Sequence, residues 1–198
     1  MLSLPRPFRT LFAAAVTTVV LAACTESGQT SPGSGSFDFV SPGGKTVLFY
    51  DPPTDRGSIG AMSGPDLMND ATVSVADFAG DIVVINVWGS WCAPCRTETP
   101  ELETVHAEFQ RRGVQFLGIN VRDNRESARD FVTDRNVTYP SIFDPEMRSL
   151  IAFGRRYPTS VVPTTVVLDR QHRVAAVYLT AVLAEDLRPL LQRLTAES

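Results

Sequence analysis

The stretch IVVINVWGSWCAPCRTE, residues 82–98, decides the fold. It opens with a run at 82–87 that is apolar apart from Asn86 and rich in β-branched side chains, which is typical of a strand buried on both faces. Pro94 suits the first turn of a helix, where its missing N–H costs no hydrogen bond. The stretch therefore predicts a buried strand that ends just before a helix, with Cys92 and Cys95 at the junction.

The two cysteines are predicted to exchange electrons with other thiols. A helix N-terminus carries partial positive charge and free N–H groups, which favour the thiolate form of Cys92. Cys95 lies nearly one helical turn later, close enough to form a disulfide with Cys92, and is expected to be less exposed. We therefore expect Cys92 to attack a disulfide in another molecule and Cys95 to resolve the mixed disulfide. A purely structural Cys92–Cys95 disulfide would close too short a loop to stabilise the chain much.

Glu98 is a candidate proton-transfer group for the second cysteine. It lies three residues after Cys95, on the same face of the predicted helix. Burial at this position would raise the pKa of its carboxyl and let it act as acid and base. Spacing alone leaves open the alternative of an exposed carboxylate that is favoured by the helix dipole.

Two tryptophans and an arginine surround the cysteine pair. Trp88 is expected to pack in the core, whereas Trp91 is expected to shield the thiols and to offer a face to a substrate. Arg96 is interpreted as a solvated helix residue.

Strands and helices alternate after residue 82, which predicts a central sheet with helices on its faces. We expect strands at 82–87, 114–121, 161–168 and 173–179, helices at 92–112, 125–135 and 183–194, a short extended piece at 141–143 and a short helix at 146–153. Before this unit, residues 37–50 predict two short strands about a Pro-Gly-Gly turn.

The first residues have the pattern of an export signal. Arg6 and Arg9 precede an uncharged run at 11–23, which as a helix would span about 20 Å and is too short to cross a membrane. The run ends in LAAC, so Cys24 resembles the lipidated cysteine of a bacterial lipobox. We predict a signal peptide at 1–23 and a flexible tether at 24–36, because 25–36 contain no apolar residue.

These features predict one folded domain at 37–198 on the extracytoplasmic face of a bacterial cell membrane, where a thiol pair tends to be oxidised. The hydrophobic fraction of 43% is ordinary for a globular chain. The formal net charge of −4 disfavours a nucleic-acid partner and gives no polybasic membrane patch.

The motifs resemble those of a known superfamily. The strand, WCAPC at 91–95 and Val162-Pro163-Thr164 resemble the thioredoxin superfamily. The pattern Asn86-Val87-Trp88, WCAPCR, Glu98 and Pro100 resembles its membrane-tethered ResA/TlpA-like branch, and the resemblance spans roughly residues 64–194. It implies a thioredoxin-like α/β fold, with a central mixed β-sheet flanked by helices and an N-terminal strand or hairpin extension.

The resemblance also implies roles for particular residues. A cis-proline at Pro163 would face the redox pair, and Glu98 would transfer the proton, since Asn86 cannot titrate where thioredoxin has a buried Asp. Substrate would contact Trp91, Pro94, Val162 and Pro163. Val162 stands where a Thr is often found, so any hydrogen bond from that hydroxyl is lost.

The implied activity is that of a thiol–disulfide oxidoreductase without a dissociable cofactor. Relatives of this kind reduce protein disulfides, notably those of apocytochrome c during cytochrome c maturation, and a membrane thiol-electron transporter supplies their electrons. Ala93-Pro94 contains no His that would stabilise the Cys92 thiolate as in strong oxidants, which favours a reductase.

Other functions stay open. Within the same class, the chain would be a general envelope disulfide reductase or an oxidant of secreted proteins; a peroxidase would need a distinct Thr-x-x-Cys site. A zinc site is not expected, because with Cys24 lipidated only His106 and His172 could join the cysteine pair. A copper-binding chaperone is the alternative of another class, although the tight cysteine spacing and Pro94 argue against it.

Overall fold

The computed structural model describes residues 35–197 of the 198-residue chain, together with Leu2. The predicted signal peptide, the lipidation site at Cys24 and the tether up to residue 34 therefore lie outside the described residues, apart from Leu2. Within 35–197, no helix combines the length and the apolar character needed to span a bilayer.

A six-stranded mixed sheet forms the centre of the described chain. The strands are β1 (Val47–Phe49), β2 (Ser63–Pro65), β3 (Thr72–Ser74), β4 (Ile82–Trp88), β5 (Val114–Asn120), β6 (Ser141–Phe143), β7 (Thr164–Leu168) and β8 (Val174–Tyr178). The sheet order is β1-β8-β7-β4-β5-β6, and β2 and β3 form a separate antiparallel pair. Strand β4 pairs parallel with β5 and antiparallel with β7, and the predicted buried strand at 82–87 is confirmed.

Three α-helices accompany the sheet: α1 (Ala93–Phe109), α2 (Arg125–Asp134) and α3 (Ala184–Ala196). Helices α1 and α3 cover one face, where Leu102 and Phe109 of α1 share a core cluster with Leu187 of α3 and with Ile82 and Val84 of β4. Every residue of β4 is buried, because its side chains alternate between the two faces of the sheet and both faces are covered. Val83, Ile85 and Val87 pack on the face opposite to the helices. The expected α/β architecture is confirmed.

The opposite face is covered by a segment whose structure differs from the prediction. Of the two strands expected in 37–50, only β1 forms, and it pairs antiparallel with β8 at the edge of the sheet. Phe37 and Phe39 enter the core instead, where their rings pack edge-on against Tyr50 and Tyr157. The apolar residues that suggested a strand serve to cover the sheet.

A buried arginine fastens this segment to the rest of the domain. The side chain of Arg56 is fully buried, and its guanidinium lies 2.9 Å from Asp51, 3.1 Å from Asp169 and 2.6 Å from Glu197. Asp169 lies in the turn between β7 and β8, and Glu197 follows α3. Residues 37–62 are therefore an integral part of the folded domain.

The other differences are local. Strand β7 begins at Thr164, after the predicted start at 161, because it follows Pro163, which has no backbone N–H to offer a strand partner. The short helix expected at 146–153 is a 3₁₀-helix at Arg148–Phe153. The remaining predicted helices and strands form within a few residues of their expected bounds.

Candidate active site

A disulfide joins the two cysteines where β4 ends and α1 begins. The sulfur atoms of Cys92 and Cys95 are 2.08 Å apart, and their Cα atoms are 5.3 Å apart. Cys92 is the N-cap residue of α1, and its sulfur accepts the backbone N–H of Cys95 at 3.2 Å. In this oxidised form Cys95 is fully buried and Cys92 is only 3% exposed, so both sulfurs are largely shielded from solvent.

Glu98 lies on the buried side of α1. Its carboxylate accepts the side-chain amide of Asn86 at 2.9 Å and the backbone N–H of Val182 at 3.2 Å. Burial raises the pKa of Glu98 to about 7, against the opposing effect of the two hydrogen bonds. The carboxyl is not the exposed, dipole-favoured group that spacing left open, and a group with this pKa can gain or lose a proton near neutral pH.

Asn86 connects Glu98 to the neighbouring strand. Its side-chain amide also donates to the hydroxyl of Thr165 at 3.1 Å, and the two residues are direct partners in the β4–β7 pairing. The peptide bond between Val162 and Pro163, just before β7, is cis. Val162, the residue before the cis-proline, is partly buried against the hydrophobic cluster that contains Cys92 and Cys95.

Two of the expected substrate contacts lie at the surface. Pro94 is exposed in the first turn of α1, and Trp91 is 47% exposed. The Trp91 indole N–H donates to the Val121 carbonyl at 3.2 Å, and the Arg122 guanidinium lies 4.7 Å from the centre of its ring. The indole is thus held in place while part of it faces solvent. Trp88, in contrast, is buried and stacks on Phe131.

A polar network lies behind the turn at residues 89–92, and the sequence did not reveal it. The Asp123 carboxylate accepts the backbone N–H and the hydroxyl of Ser90 at 2.6 and 2.8 Å, the Asn120 amide at 2.9 Å and the Asn124 backbone N–H at 3.0 Å. The Asp-Asn pair at 123–124 is a turn signal, which indicates a loop but not its partner.

The interpretation of Arg96 as a solvated helix residue is incomplete. Its guanidinium donates to the Ser90 carbonyl at 2.9 and 3.3 Å, so it contacts the active-site turn although the side chain is exposed. The reason is geometric: Arg96 lies in the first turn of α1, from where its side chain reaches back over the residues that precede the helix.

The two histidines considered as metal ligands hydrogen bond elsewhere. A ring nitrogen of His106 lies 3.1 Å from the Thr138 hydroxyl, and one of His172 lies 3.1 Å from the Phe78 carbonyl. Within residues 35–197, no three His, Cys, Asp or Glu side chains form a group that could hold a metal ion.

Comparison with known proteins supplies the family. The model of the AhpC/TSA family matches residues 61–177. The chain belongs to the AhpC/TSA family. It is also similar to the thiol-disulfide oxidoreductase ResA of Geobacillus thermodenitrificans, with 28% identity over 118 residues. The match covers 60% of this chain and 66% of that protein, so the chain spans just under two thirds of the length of this curated relative.

Two solved structures are more similar over a greater share of the chain. A secreted thiol-disulfide isomerase from Corynebacterium glutamicum has 44% identity and a TM-score of 0.79, and the match covers 83% of this chain and 100% of the other. A DsbF homologue from Corynebacterium diphtheriae has 48% identity and a TM-score of 0.76, and the match covers 80% and 99% of the two chains. The predicted thioredoxin-like fold and the predicted resemblance to ResA-like oxidoreductases are confirmed.

Proposed function

We propose that the chain is a thiol–disulfide oxidoreductase that acts outside the cytoplasm as a protein-disulfide reductase. One observation carries the proposal: Cys92 and Cys95 form a disulfide at the N-terminus of α1, and Glu98, with a pKa of about 7, is buried on the same helix. The similarity to ResA and to a secreted thiol-disulfide isomerase supports the same chemistry and the same side of the membrane.

In the first step, the reduced protein attacks a substrate disulfide. The Cys92 thiolate forms a bond to one substrate sulfur while the substrate S–S bond breaks, and the other substrate sulfur leaves as a thiolate that takes a proton from water. The helix N-terminus favours the attacking thiolate. The product is a mixed disulfide between Cys92 and the substrate.

In the second step, the buried cysteine releases the substrate. The Glu98 carboxylate accepts the proton of the Cys95 thiol, and the Cys95 thiolate attacks the Cys92 sulfur. The Cys92–Cys95 disulfide forms, the mixed disulfide breaks, and the second substrate sulfur leaves as a thiolate that takes a proton from water. Two electrons have then passed from the cysteine pair to the substrate, and the protein is in the form that the structure describes.

Four residues contact the substrate in this proposal. The exposed side chains of Trp91 and Pro94 flank Cys92, and Val162 and Pro163 approach from the start of β7. Pro163, just before β7, helps to dock the substrate backbone, and Val162 contributes an apolar contact without a hydroxyl.

The proposed location follows from the first residues. Residues 1–23 act as a signal peptide, Cys24 carries the lipid anchor, 24–36 form the tether, and 37–198 form the folded domain. The boundary is supported by Phe37 and Phe39, whose side chains are among the first described residues to enter the core. Replacement of Cys24 by Ala tests the anchor: we expect the wild-type protein to incorporate labelled palmitate and the variant to incorporate none, and labelling of both proteins or of neither would refute a lipid anchor at this residue.

The substrate we propose is apocytochrome c, whose haem-attachment cysteines must be reduced before haem is joined, with a membrane thiol-electron transporter as the electron donor. The ResA-like pattern of Asn86, WCAPC and Glu98 supports this assignment. The 44% identity to a secreted thiol-disulfide isomerase favours a second candidate, a general exchange enzyme for envelope proteins.

Trapping distinguishes the two substrates. In a Cys95→Ser variant the mixed disulfide at Cys92 cannot be resolved, so captured proteins stay attached and can be identified by mass spectrometry. The matched control is a Cys92→Ser variant, which retains Cys95 and should capture nothing through this reaction. Recovery of apocytochrome c supports the proposal, whereas recovery of secreted proteins with structural disulfides and no apocytochrome c refutes the substrate assignment.

The direction of electron transfer and the functional class of the protein are tested separately. The reduction potential of the Cys92–Cys95 pair, measured by equilibration with glutathione, should lie closer to that of thioredoxin than to that of a strong oxidant. A value of about −120 mV, as in a strong oxidant, would refute the reductase direction. Stoichiometric retention of Cu(I) together with failure to reduce insulin would instead establish a copper-binding chaperone.

A further inference from the structure

The segment that leads into α1 is a hydrogen-bonded turn. The backbone N–H of Cys92 donates to the Gly89 carbonyl at 3.0 Å, so Ser90 and Trp91 are the two central residues of a β-turn. Cys92 is the last residue of this turn and the N-cap of α1. The position of the Cys92 sulfur relative to the free N–H groups of the helix therefore depends on how firmly Ser90 and Trp91 are held.

Ser90 is held through all of its polar groups. Its N–H and hydroxyl both donate to the Asp123 carboxylate, at 2.6 and 2.8 Å, and its carbonyl accepts two bonds from Arg96. Trp91 is held by the loop that contains Asp123, through the Val121 carbonyl and the Arg122 guanidinium. The turn thus lies against the loop between β5 and α2 at both central positions.

Asp123 is itself held rigidly. Its carboxylate also accepts the amide of Asn120, the last residue of β5, and the backbone N–H of Asn124, the N-cap residue of α2. Since β4 and β5 are parallel neighbours, with Trp88 opposite Asn120, the loops that follow them meet at the same edge of the sheet. The contact between Asp123 and Ser90 therefore links the active-site turn to two elements of regular structure.

We propose that Asp123 is a positioning residue for Cys92, which acts by fixing the turn at 89–92 so that the sulfur stays against the first turn of α1. This inference rests on the proposed function, because it concerns the same disulfide. Asp123 contacts Ser90 and not the reacting sulfur, so its effect is indirect. When the turn is loosened, the Cys92 thiolate loses part of its stabilisation by the helix N–H groups.

Whether removal of Asp123 makes the Cys92 thiol more or less acidic distinguishes a positioning role from a simple electrostatic one. A carboxylate near a thiol disfavours the thiolate through like charge, so its removal alone would make Cys92 more acidic. Loss of positioning has the opposite result, since the thiolate is then held less well by the helix. A merely structural role would lower the stability of the fold without moving the titration of Cys92.

The first test measures the alkylation rate of Cys92 by iodoacetamide against pH, in a Cys95→Ser background. For Asp123→Ala we expect the pH midpoint to rise by about one unit, which is about a tenfold smaller thiolate fraction below the midpoint. The matched control is Asp130→Ala, which removes an exposed carboxylate from α2 and should leave the midpoint in place. An unchanged or lower midpoint in Asp123→Ala would overturn the proposal.

A second variant keeps the charge of Asp123. Ser90→Ala removes the hydroxyl bond but leaves the N–H bond to Asp123, so it should fold and should raise the midpoint in the same direction by a smaller amount. In the Asp123→Ala background the same change should add little, because that hydrogen bond is already lost. If Ser90→Ala leaves the midpoint unchanged in the wild-type background, or shifts it equally in both backgrounds, Asp123 does not act through Ser90. The Ser90→Ala result decides the question if Asp123→Ala does not fold.

Proteins that retain both Cys92 and Cys95 give an independent measurement, the reduction potential. A less stabilised thiolate weakens the reduced form, so the potential of Asp123→Ala should become more negative, by about 30 mV for a tenfold change in the equilibrium constant. If the wild-type protein exchanges electrons with no dithiol, the proposed function fails. If the wild type exchanges and Asp123→Ala matches its potential and alkylation profile, the positioning role alone fails.

Discussion

Glu98 should make the oxidised protein less stable as the pH rises through neutrality. The residue is 1% exposed, and burial raises the pKa of its carboxyl from the ordinary value of 4.5 to about 7. The folded protein therefore keeps a proton that the unfolded chain has already released between these two values. The associated stability is fully present below pH 4.5 and is lost as the pH rises through about 7. At 1.36 kcal/mol per pKa unit, the loss is about 3 kcal/mol by pH 8.

Replacement of Glu98 by Gln isolates this titration. The glutamine side chain keeps the shape of the carboxyl but presents only one oxygen to the two donors, the Asn86 amide and the Val182 N–H. That loss of hydrogen bonding does not depend on pH, whereas the titration disappears. The stability of Glu98→Gln relative to the wild type should therefore improve by up to about 3 kcal/mol between pH 4.5 and 8, whatever its starting value.

Urea unfolding of the two oxidised proteins at half-unit pH steps measures this difference. Other titrating groups, such as the buried His106, are present in both proteins and cancel. Glu126→Gln is the matched control, because it makes the same substitution at an exposed position on α2. A flat difference for Glu98→Gln would show that Glu98 is already ionised in the folded protein under acidic conditions. The proton-transfer role proposed for it would then lose its physical basis.

Three further changes have expected outcomes. Gly89→Ala would place a Cβ atom in steric overlap with the Trp91 indole nitrogen, so we expect the indole to be displaced and its fluorescence to become more accessible to quenching by acrylamide. Arg56→Ala leaves three carboxylates without their shared buried cation and should lower the free energy of unfolding by about 3 kcal/mol in urea titrations, without changing the potential of the distant disulfide. Arg122→Glu reverses the charge stacked on Trp91, and kcat/KM for peptide disulfides with Glu beside the cysteine should fall about two- to fivefold relative to those with Lys.

The central part of the fold was predictable because its signals are local. The run at 82–87 is apolar at every position except Asn86, and the structure buries all of β4 between two layers. Pro94 marks the first turn of α1, and Leu102, Val105 and Phe109 recur at helical spacing on its buried face. The position of Glu98 follows from the same periodicity, since a residue three positions after a buried cysteine lies on the same side of the helix.

The segment before this unit was less predictable for a physical reason. Phe37 and Phe39 alternate with polar residues, which is the pattern of a half-buried strand. The same alternation suits an irregular segment whose aromatic side chains fill a groove, as it does here. Which outcome occurs depends on whether a strand edge or an apolar face is free nearby, and that is a property of the finished sheet.

The contact between Ser90 and Asp123 shows what kind of information was missing at the active site. Neither residue has a signal beyond that of a turn, and they are separated by 33 positions. Their meeting is a consequence of strand pairing: β4 and β5 run parallel, so the loops after Trp88 and Asn120 emerge side by side at the carboxyl edge of the sheet. A shift of this register by one residue would turn the side chains of β4 to the opposite face and would separate Asp123 from the turn that carries Cys92. The reactive sulfur therefore depends on the sheet register as much as on the helix that follows it, and only the helix can be recognised from neighbouring residues.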